Sequence, residues 1–507
     1  MQQKKNHRPA RIFWAGTAAT ALFMLAGYIA IGVWPFGDGT VLIIDSLHQY
    51  LPFYTDFHEK LVHHSSLLYS FSAGLGYNFW ATYAYYLASP ANFLIALVPT
   101  ANVCDFMDYT ILIKVALCGG IFSWYLGKRR RRSLLEPVAF GTMYALSFYM
   151  IGYYFNLMWL DSIAMLPLIM KGIEKICGIG DNGRMDDSSD GRMYGLALFY
   201  GLWCNYYIGF MLCLFAVLYM IVCLIIRGRM KGKLFLKRIG RFAWYSLLAG
   251  GSGSMVLLPA YRALEASESM QSNRFPSVVK FYTNFVDMMM AQFADVTPVN
   301  ISDTQVGLNT YCGVSVMLLA ILFILDENIS LRERLSKTAL ACFLMLSFSM
   351  NILNYIWHGF HQQNGLPNRF AFLYIAVILI MSFDALGDVP KLPVWKIVFS
   401  GAVPLAFAAA AFVLKLGADH EGNAYPDSTY LITIALLAGY LVLLLFIRVK
   451  RIRRMAASLM ISTMCVAEAG VSAVYGIVCN DSVTRSIYLN DQASYKALMA
   501  QIGEEGF

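Results

Sequence analysis

Asp45, His48 and Gln49 stand three and four residues apart in DSLHQYLPFY, a spacing that puts side chains on one side of a helical turn. A carboxylate beside an imidazole and a carboxamide can take a proton from a hydroxyl or help hold a divalent cation. Asp45 also opens a run with helical apolar spacing (Leu47, Leu51, Phe53, Tyr54, Phe57, Leu61, Val62), where it can act as the helix N-cap instead. Trp80, Tyr85 and Tyr86 follow in YSFSAGLGYNFWATYAYYLASP, after Gly74 and Gly76 interrupt the helix. Such rings settle at a membrane interface and also offer flat faces to sugars. Lys114 lies inside an apolar run and calls for a partner, either a lipid phosphate or Asp161 of FNLMWLD. NYIWHGFHQQNGLPNRF brings His358, His361 and Arg369, and arginine suits bidentate contact with phosphate. His58, Glu59, His63 and His64 lack the spacing of a zinc motif and read as a solvated helix face. Asp295 in MMMAQFADVTP is a further carboxylate candidate, and the acidic stretch 181–190 reads as a plain loop.

These residues must be positioned by membrane helices. The 507-residue chain is 58% hydrophobic and 14% charged, where soluble domains carry about 25% charged residues. The fold class is therefore all-α and polytopic, with surface helices in the first outside loop. Thirteen spans are expected near 12–33, 107–126, 134–153, 160–176, 193–205, 208–226, 240–260, 311–326, 338–350, 370–387, 396–416, 430–447 and 455–477. The 193–226 stretch can also be one long tilted helix. With the N-terminus in the cytoplasm, 30 of the 39 Lys and Arg fall on the cytoplasmic side, the positive-inside pattern. KRRRR (128–132) and RVKRIRR (448–454) then read as topology anchors rather than nucleic-acid contacts. The first span reads as a retained signal anchor. Long outside loops are expected at 34–106, 261–310 and 351–369, with seven of the eight His on that face. The ten Cys show no CxxC pair, which disfavours a disulfide framework or a cysteine metal site. No P-loop, Gly-rich nucleotide fingerprint or half-chain transporter repeat is present.

Five phrases carry a family likeness: DSLHQYLPFY, SFSAGLGYNFWATYAYYLASPANFLIALVP, NLMWLDSIAMLPLI, NYYIGFMLCLFAVLY and IWHGFHQQNGLPNRFAF. Together they resemble the bacterial YfhO family over about Asp45 to Phe372, with weaker hydrophobic similarity beyond. The resemblance implies a GT-C-like membrane glycosyltransferase. Such an enzyme takes a sugar from a polyprenyl-phosphate donor and adds it to a cell-wall polymer, lipoteichoic acid among them, on the outer face of the plasma membrane. A separate cytoplasmic-side enzyme would make the donor. In GT-C enzymes an Asp of the first outside loop is base or metal contact, and Asp45 stands at the matching place. On this expectation Asp45, with His48 and Gln49 in support, is catalytic, and a divalent cation (Mg or Mn) binds at Asp45. Lys114, Arg369 and His358 face the donor phosphate, and Trp80, Tyr85, Tyr86 and Asp161 line the cavity. Residues 1–480 would form the membrane domain. Because family members often carry a sizeable extracytoplasmic C-terminal domain, residues 481–507 are expected to be a tail at which such a domain begins. The rival expectations are a lipid-linked-sugar flippase or polysaccharide exporter, with charges along a central path, and a non-catalytic envelope scaffold.

Overall fold

A computed structural model describes residues 7–130, 133–187, 189–265, 275–302, 306–448, 454–480 and 483–503. Arg131, Arg132 and most of the basic run 448–454 lie outside the described residues. Among the described residues regular structure is helical apart from four two-residue strands. In lipid every backbone N–H and C=O must be satisfied within the protein, which a helix does locally.

The chain begins with α1 (Arg8–Ala30) and β1 (Gly39–Thr40). A π-helical turn (Ser46–Tyr50) then leads into α2 (Leu51–Val62), followed by the hairpin β2 (Tyr69–Ser70) and β3 (Tyr77–Asn78). Next come α3 (Phe79–Thr82), a second π turn (Tyr83–Leu87) and a 3-10 stretch (Pro90–Leu97). The first half closes with α4 (Val103–Arg129), α5 (Leu135–Ala145), α6 (Phe148–Tyr153), α7 (Leu157–Ile176), α8 (Arg192–Cys204), α9 (Tyr206–Arg227), α10 (Gly232–Ser252) and α11 (Ser254–Glu265). The second half comprises α12 (Phe285–Met290), α13 (Ser315–Leu325), α14 (Leu331–Ser349), α15 (Asn351–Trp357), α16 (Ala371–Leu386), α17 (Val394–Leu414), α18 (Asp427–Arg448), α19 (Arg454–Cys479), β4 (Val483–Thr484) and α20 (Arg485–Gly503).

Among the described residues six helices are long and apolar enough to cross a membrane: α1, Thr100–Arg129, α9, α17, α18 and the Ser458–Cys479 part of α19. The other seven expected spans fall short of that standard for local reasons. The 134–153 segment breaks into α5 and α6 at Ser147, whose backbone is extended. The 160–176 segment lies in α7, which carries Asp161, Lys171, Glu174 and Lys175. α8, α13 and α16 are short, and 240–260 is divided between α10 and α11 at Gly253. The 338–350 segment is the apolar end of α14, which opens with LRERLSK. The 193–226 stretch is two helices. Asn205 leaves the helical region (φ −157°, ψ 110°) and its side chain accepts from the Ile208 N–H at 2.9 Å, capping α9.

α1 packs closely on α4 because small residues face each other. A Cβ on Gly119 would lie 2.2 Å from Thr20 Oγ1, and one on Gly16 would lie 2.2 Å from Ser123 Oγ, the small-residue packing that membrane helices use in place of a hydrophobic drive. α16 is buried along its whole length. Near its C-terminus Asp384 accepts from Arg129 (Nε to Oδ2 3.0 Å, Nη2 to Oδ2 2.9 Å), Arg130 (3.0 Å) and Lys337 (3.0 Å). Arg129 also reaches Glu174 at 2.8 Å and Glu333 at 2.7 Å, and Arg130 reaches Asp388 at 3.0 Å. Part of the expected topology anchor is therefore a buried ion-pair hub joining α4, α7, α14 and α16. Removing one partner of such a hub strands the others. Asp384→Asn is expected to cost about 3–5 kcal/mol. Lys415→Ala, which breaks the exposed pair with Asp427, should cost under about 1 kcal/mol. Unfolding in detergent micelles followed by circular dichroism compares the two.

Candidate functional site

Both segments carrying the first group of candidate residues are π-wound: Ser46–Tyr50 and Tyr83–Leu87. A π turn closes its hydrogen bonds over i→i+5, is rare, and recurs at functional sites. The chain enters the first through Ile44 at φ 51°, a left-handed conformation that is an outlier for a β-branched residue. Asp45 follows, half-buried, and makes no capping hydrogen bond, so the N-cap role is not realised. The wide winding also alters the alignment expected for an α-helix. His48 and Gln49 are both exposed, and Gln49 interacts with Tyr86.

The two π turns meet through their aromatic rings. Tyr50 and Tyr86 lie 5.1 Å apart, Phe53 and Tyr86 5.0 Å, and Tyr85 and Tyr86 4.6 Å. Tyr50 donates to Asn156 Oδ1 at 2.8 Å, which ties the first turn to the start of α7. Asn205 Nδ2 donates to the Tyr85 carbonyl at 3.0 Å, which ties the second to the α8–α9 break. Burial pushes the phenols of Tyr50, Tyr85 and Tyr86 up from their ordinary value, and the Asp45 carboxylate adds to the effect at all three. Tyr50 and Tyr85 feel Arg369 as well, which acts in the opposite sense. Tyr50 and Tyr85 thus lie in the electrostatic reach of both a carboxylate and a guanidinium.

Arg369 stands just before α16. Its Nη2 donates to the Gln363 and Asn364 carbonyls at 2.8 and 3.3 Å, its Nε to the Leu366 carbonyl at 3.1 Å, and its Nη1 to the Tyr207 hydroxyl at 3.2 Å. The guanidinium lies 5.7 Å from the Trp159 ring centroid and 5.3 Å from that of Tyr207, within cation–π range. Tyr149 and Tyr153 hold the loop backbone by donating to the Arg369 and Pro367 carbonyls at 2.6 and 2.7 Å. Every one of these partners is neutral, and among the described residues Arg369 forms no ion pair with a carboxylate. The site combines a fixed cation, a cage of phenols and a carboxylate at its edge.

His358 is a correction. It is wholly buried, its Nδ1 donates to the Asn354 carbonyl at 2.8 Å, and its Nε2 receives the Arg369 N–H at 3.4 Å. Burial first, and Arg369 next, push the imidazole down to about 3. A neutral ring with both nitrogens engaged positions Arg369 and has no donor left for a phosphate. For Lys114 the structure realises the second of its two expected partners, Asp161, in place of a phosphate. Its Nζ lies 2.6 Å from Asp161 Oδ2 and donates to the Leu157 carbonyl at 3.1 Å. Asp161 in turn accepts from Ser89 at 3.1 Å and Tyr200 at 3.2 Å. Trp159 and Asp161 are two residues apart on α7, about 200° around the helix, so this pair and Arg369 occupy different sides of α7. Lys114, Asp161 and Tyr200 line an apolar groove of about 590 Å³ between α4, α7 and α8. Trp80 stacks on Tyr83 at 5.0 Å, and Tyr83 contacts Phe57 and Phe93. Trp80 therefore belongs to the packing beneath α2 rather than beside Tyr85 and Tyr86. Asp295 accepts from Ser428 at 2.6 Å, next to α18.

Among the described residues no three His, Cys, Asp or Glu side chains gather as a metal set. Asp45 fits only the kind of cation that keeps waters and takes its remaining ligands from substrate phosphates. Tyr149, Tyr153, Trp159 and Tyr207 were not singled out by sequence. For Trp159 and Tyr207 the signal was available in NLMWLD and NYYIGF, where aromatics stand close to asparagine at the head of apolar helices, and Tyr149 and Tyr153 lie in the aromatic run SFYMIGYYF.

Two measurements check these assignments. Lys114→Met leaves Asp161 buried without its cation and is expected to cost about 3–5 kcal/mol. Adding Asp161→Asn should recover a large part of that loss in thermal unfolding. For His358 the folded chain refuses a proton that the unfolded chain accepts below about 6.5. Stability present at neutral pH is then lost as pH falls, by about 1.4 kcal/mol per pH unit until the folded value is reached. His358→Asn should show a shallower decline between about pH 6 and pH 4 than the parent in the same unfolding experiment.

No curated protein matches the sequence. The family model for bacterial membrane protein YfhO matches residues 17–506. With that match running over nearly its whole length, the chain belongs to the YfhO family of bacterial membrane proteins.

Proposed function

We propose that the protein is a glycosyltransferase that moves a hexosyl or N-acetylhexosaminyl group from a polyprenyl-phosphate carrier to a cell-envelope polymer of the lipoteichoic-acid kind, on the outer face of the plasma membrane. The observation that carries this reading is Arg369. Among the described residues it is a cation met by carbonyls, phenols and an indole face and by no carboxylate, and it stands at the N-terminal, partially positive end of α16. That combination favours an anion, and a phosphate monoester or diester supplies one.

In the reaction an acceptor hydroxyl attacks the anomeric carbon, and Asp45 takes the hydroxyl proton as the new glycosidic bond forms. The bond from the anomeric carbon to phosphate breaks, and the polyprenyl phosphate leaves with the electron pair. Arg369 stabilises the charge that builds on the leaving phosphate. Phosphate is a good leaving group, so one carboxylate suffices where a glycosidase needs two. Gln49, Tyr85 and Tyr86 hold the sugar, and the apolar groove beside Lys114 and Asp161 offers room for a lipid chain. A divalent cation bound at Asp45 would supply further neutralisation of phosphate charge. The donor would come from a separate enzyme on the cytoplasmic side.

The test is transfer of labelled sugar from undecaprenyl-phosphate sugar to a crude cell-wall acceptor by purified protein in liposomes. Asp45→Asn at equal expression should slow transfer by about 10²-fold or more. Equal transfer by both proteins would remove Asp45 from the mechanism. Movement of label across the bilayer with no transfer would point to a flippase, and neither activity would point to a scaffold.

A further inference from the structure

From Ser65 through Cys104 the sequence runs for forty residues without a Lys, Arg, His, Asp or Glu. The helix just before it is different, since α2 carries Asp56, His58, Glu59 and Lys60. A connecting segment that meets water normally carries charge, and soluble domains have about one charged residue in four. The β2–β3 hairpin lies within this uncharged run. Its tip exposes Phe71 by 80% and Leu75 by 99%, with Leu68 exposed by 68% beside them.

The stem of the hairpin is fixed, although the tip touches little. Asp56 accepts from Ser70 at 2.7 Å, Ser72 at 3.0 Å and Tyr77 at 2.9 Å. Lys60 is buried, donates to the Ser66 and Tyr69 carbonyls at 3.1 and 2.9 Å, and lies 5.0 Å over the Phe79 ring. Gly76 adopts φ 108°, and a Cβ there would lie 2.0 Å from the Tyr69 hydroxyl, so only glycine allows this turn. Both charged residues of α2 that reach the hairpin are spent on its stem. The tip is held out as an apolar knuckle rather than left loose.

The position of the hairpin identifies what covers it. β3 runs directly into α3, and α3 and the Tyr83–Leu87 turn pack on α11. α11 is a rim helix whose outward side exposes Met255, Leu258 and Tyr261. Exposed apolar side chains of the same kind mark the flanks of the long apolar helices, such as Leu22 on α1 and Val413 on α17. The tip presents side chains of the same kind, joined to α11 through α3. Large exposed apolar side chains clustered in this way call for a non-aqueous neighbour.

We propose that the β2–β3 hairpin tip is seated in the lipid leaflet beside α11, as a fixed wedge that sets the height of α2 and of the two π turns relative to the membrane. The lipid is recognised by its acyl region alone, because the segment offers no charge to a headgroup. This inference rests on the hairpin and not on the glycosyltransferase reading, and the two fail separately.

The test is a nitroxide attached to Leu75→Cys in the full chain, with the exposed Cys342 and Cys479 replaced by Ser, reconstituted at one copy per nanodisc of phosphatidylcholine. The control label is at Glu421→Cys, in an exposed turn. Seating in lipid predicts that dissolved oxygen relaxes the Leu75 label more than a water-soluble nickel chelate does, with the order reversed at the control. Adding anionic lipid should leave the ratio unchanged. Strong relaxation by the nickel chelate at Leu75 would place the tip in water and overturn the proposal. Low access to both reagents would place it against protein and overturn it equally.

Discussion

α16 bears charge at both ends in the sense that opposes its own dipole. A helix favours anions at its N-terminus and cations at its C-terminus, yet Arg369 precedes the first turn and Asp384 lies in the last. Fourteen buried residues, 370–383, separate them, about 22 Å along the helix axis. The two ends are resolved differently. Asp384 receives three cations, drawn from α4 and α14, and the carboxylates around those cations bring α7 into the same hub. Among the described residues Arg369 meets carbonyls, phenols and an indole face and no carboxylate. One end is closed electrostatically, and the other retains an unmet preference for negative charge. The placement of α4, α7, α9 and α14 around α16 follows from meeting those two demands.

α7 separates two chemistries by simple helical geometry. Trp159 faces the phenol cage, and Asp161, two residues on, faces the groove and Lys114. The ion pair in the groove is internally balanced, so a lipid chain lying along it meets an apolar wall with no net charge. The anion preference is confined to the Arg369 side. A substrate with an apolar tail and a charged head would find those two environments on adjacent faces of one helix.

The helical class and the apolar segments were legible because composition and hydropathy act over windows of many residues. Asp45, Gln49, Tyr85, Tyr86 and Arg369 were legible for a different reason: charge and dense aromatics beside membrane helices stand out against the apolar background. What local sequence could not carry was pairing between distant segments. The sequence offered Asp161 as one of two partners for Lys114 without deciding between them, and nothing near Arg129 announces Asp384, 255 residues away. His358 looked like a ligand because a histidine beside an arginine has the right chemistry, and only burial shows that both its nitrogens are committed. The π winding was equally hidden, since periodicity at three and four residues reads the same until the backbone is seen. Several expected spans came out short or broken because single positions such as Ser147 and Gly253 end helices that hydropathy averages through, whereas the break at Asn205 falls where two separate spans were expected.

β1 pairs with β4, placing Gly39 opposite Thr484, and Arg485 lies 2.9 Å from Asp105. The Ser486 N–H reaches Asp38 across 448 residues of sequence. The loop that holds Asp45 is thus laced to a segment synthesised more than four hundred residues later. Contacts of such separation form late, because the intervening chain must be ordered first. During biogenesis the amino-terminal helices can enter the bilayer and pack while the reactive loop waits for its closing strand. Assembly of the membrane body and maturation of the site are therefore separate events in time, and a ribosome-bound or truncated chain would own the first without the second.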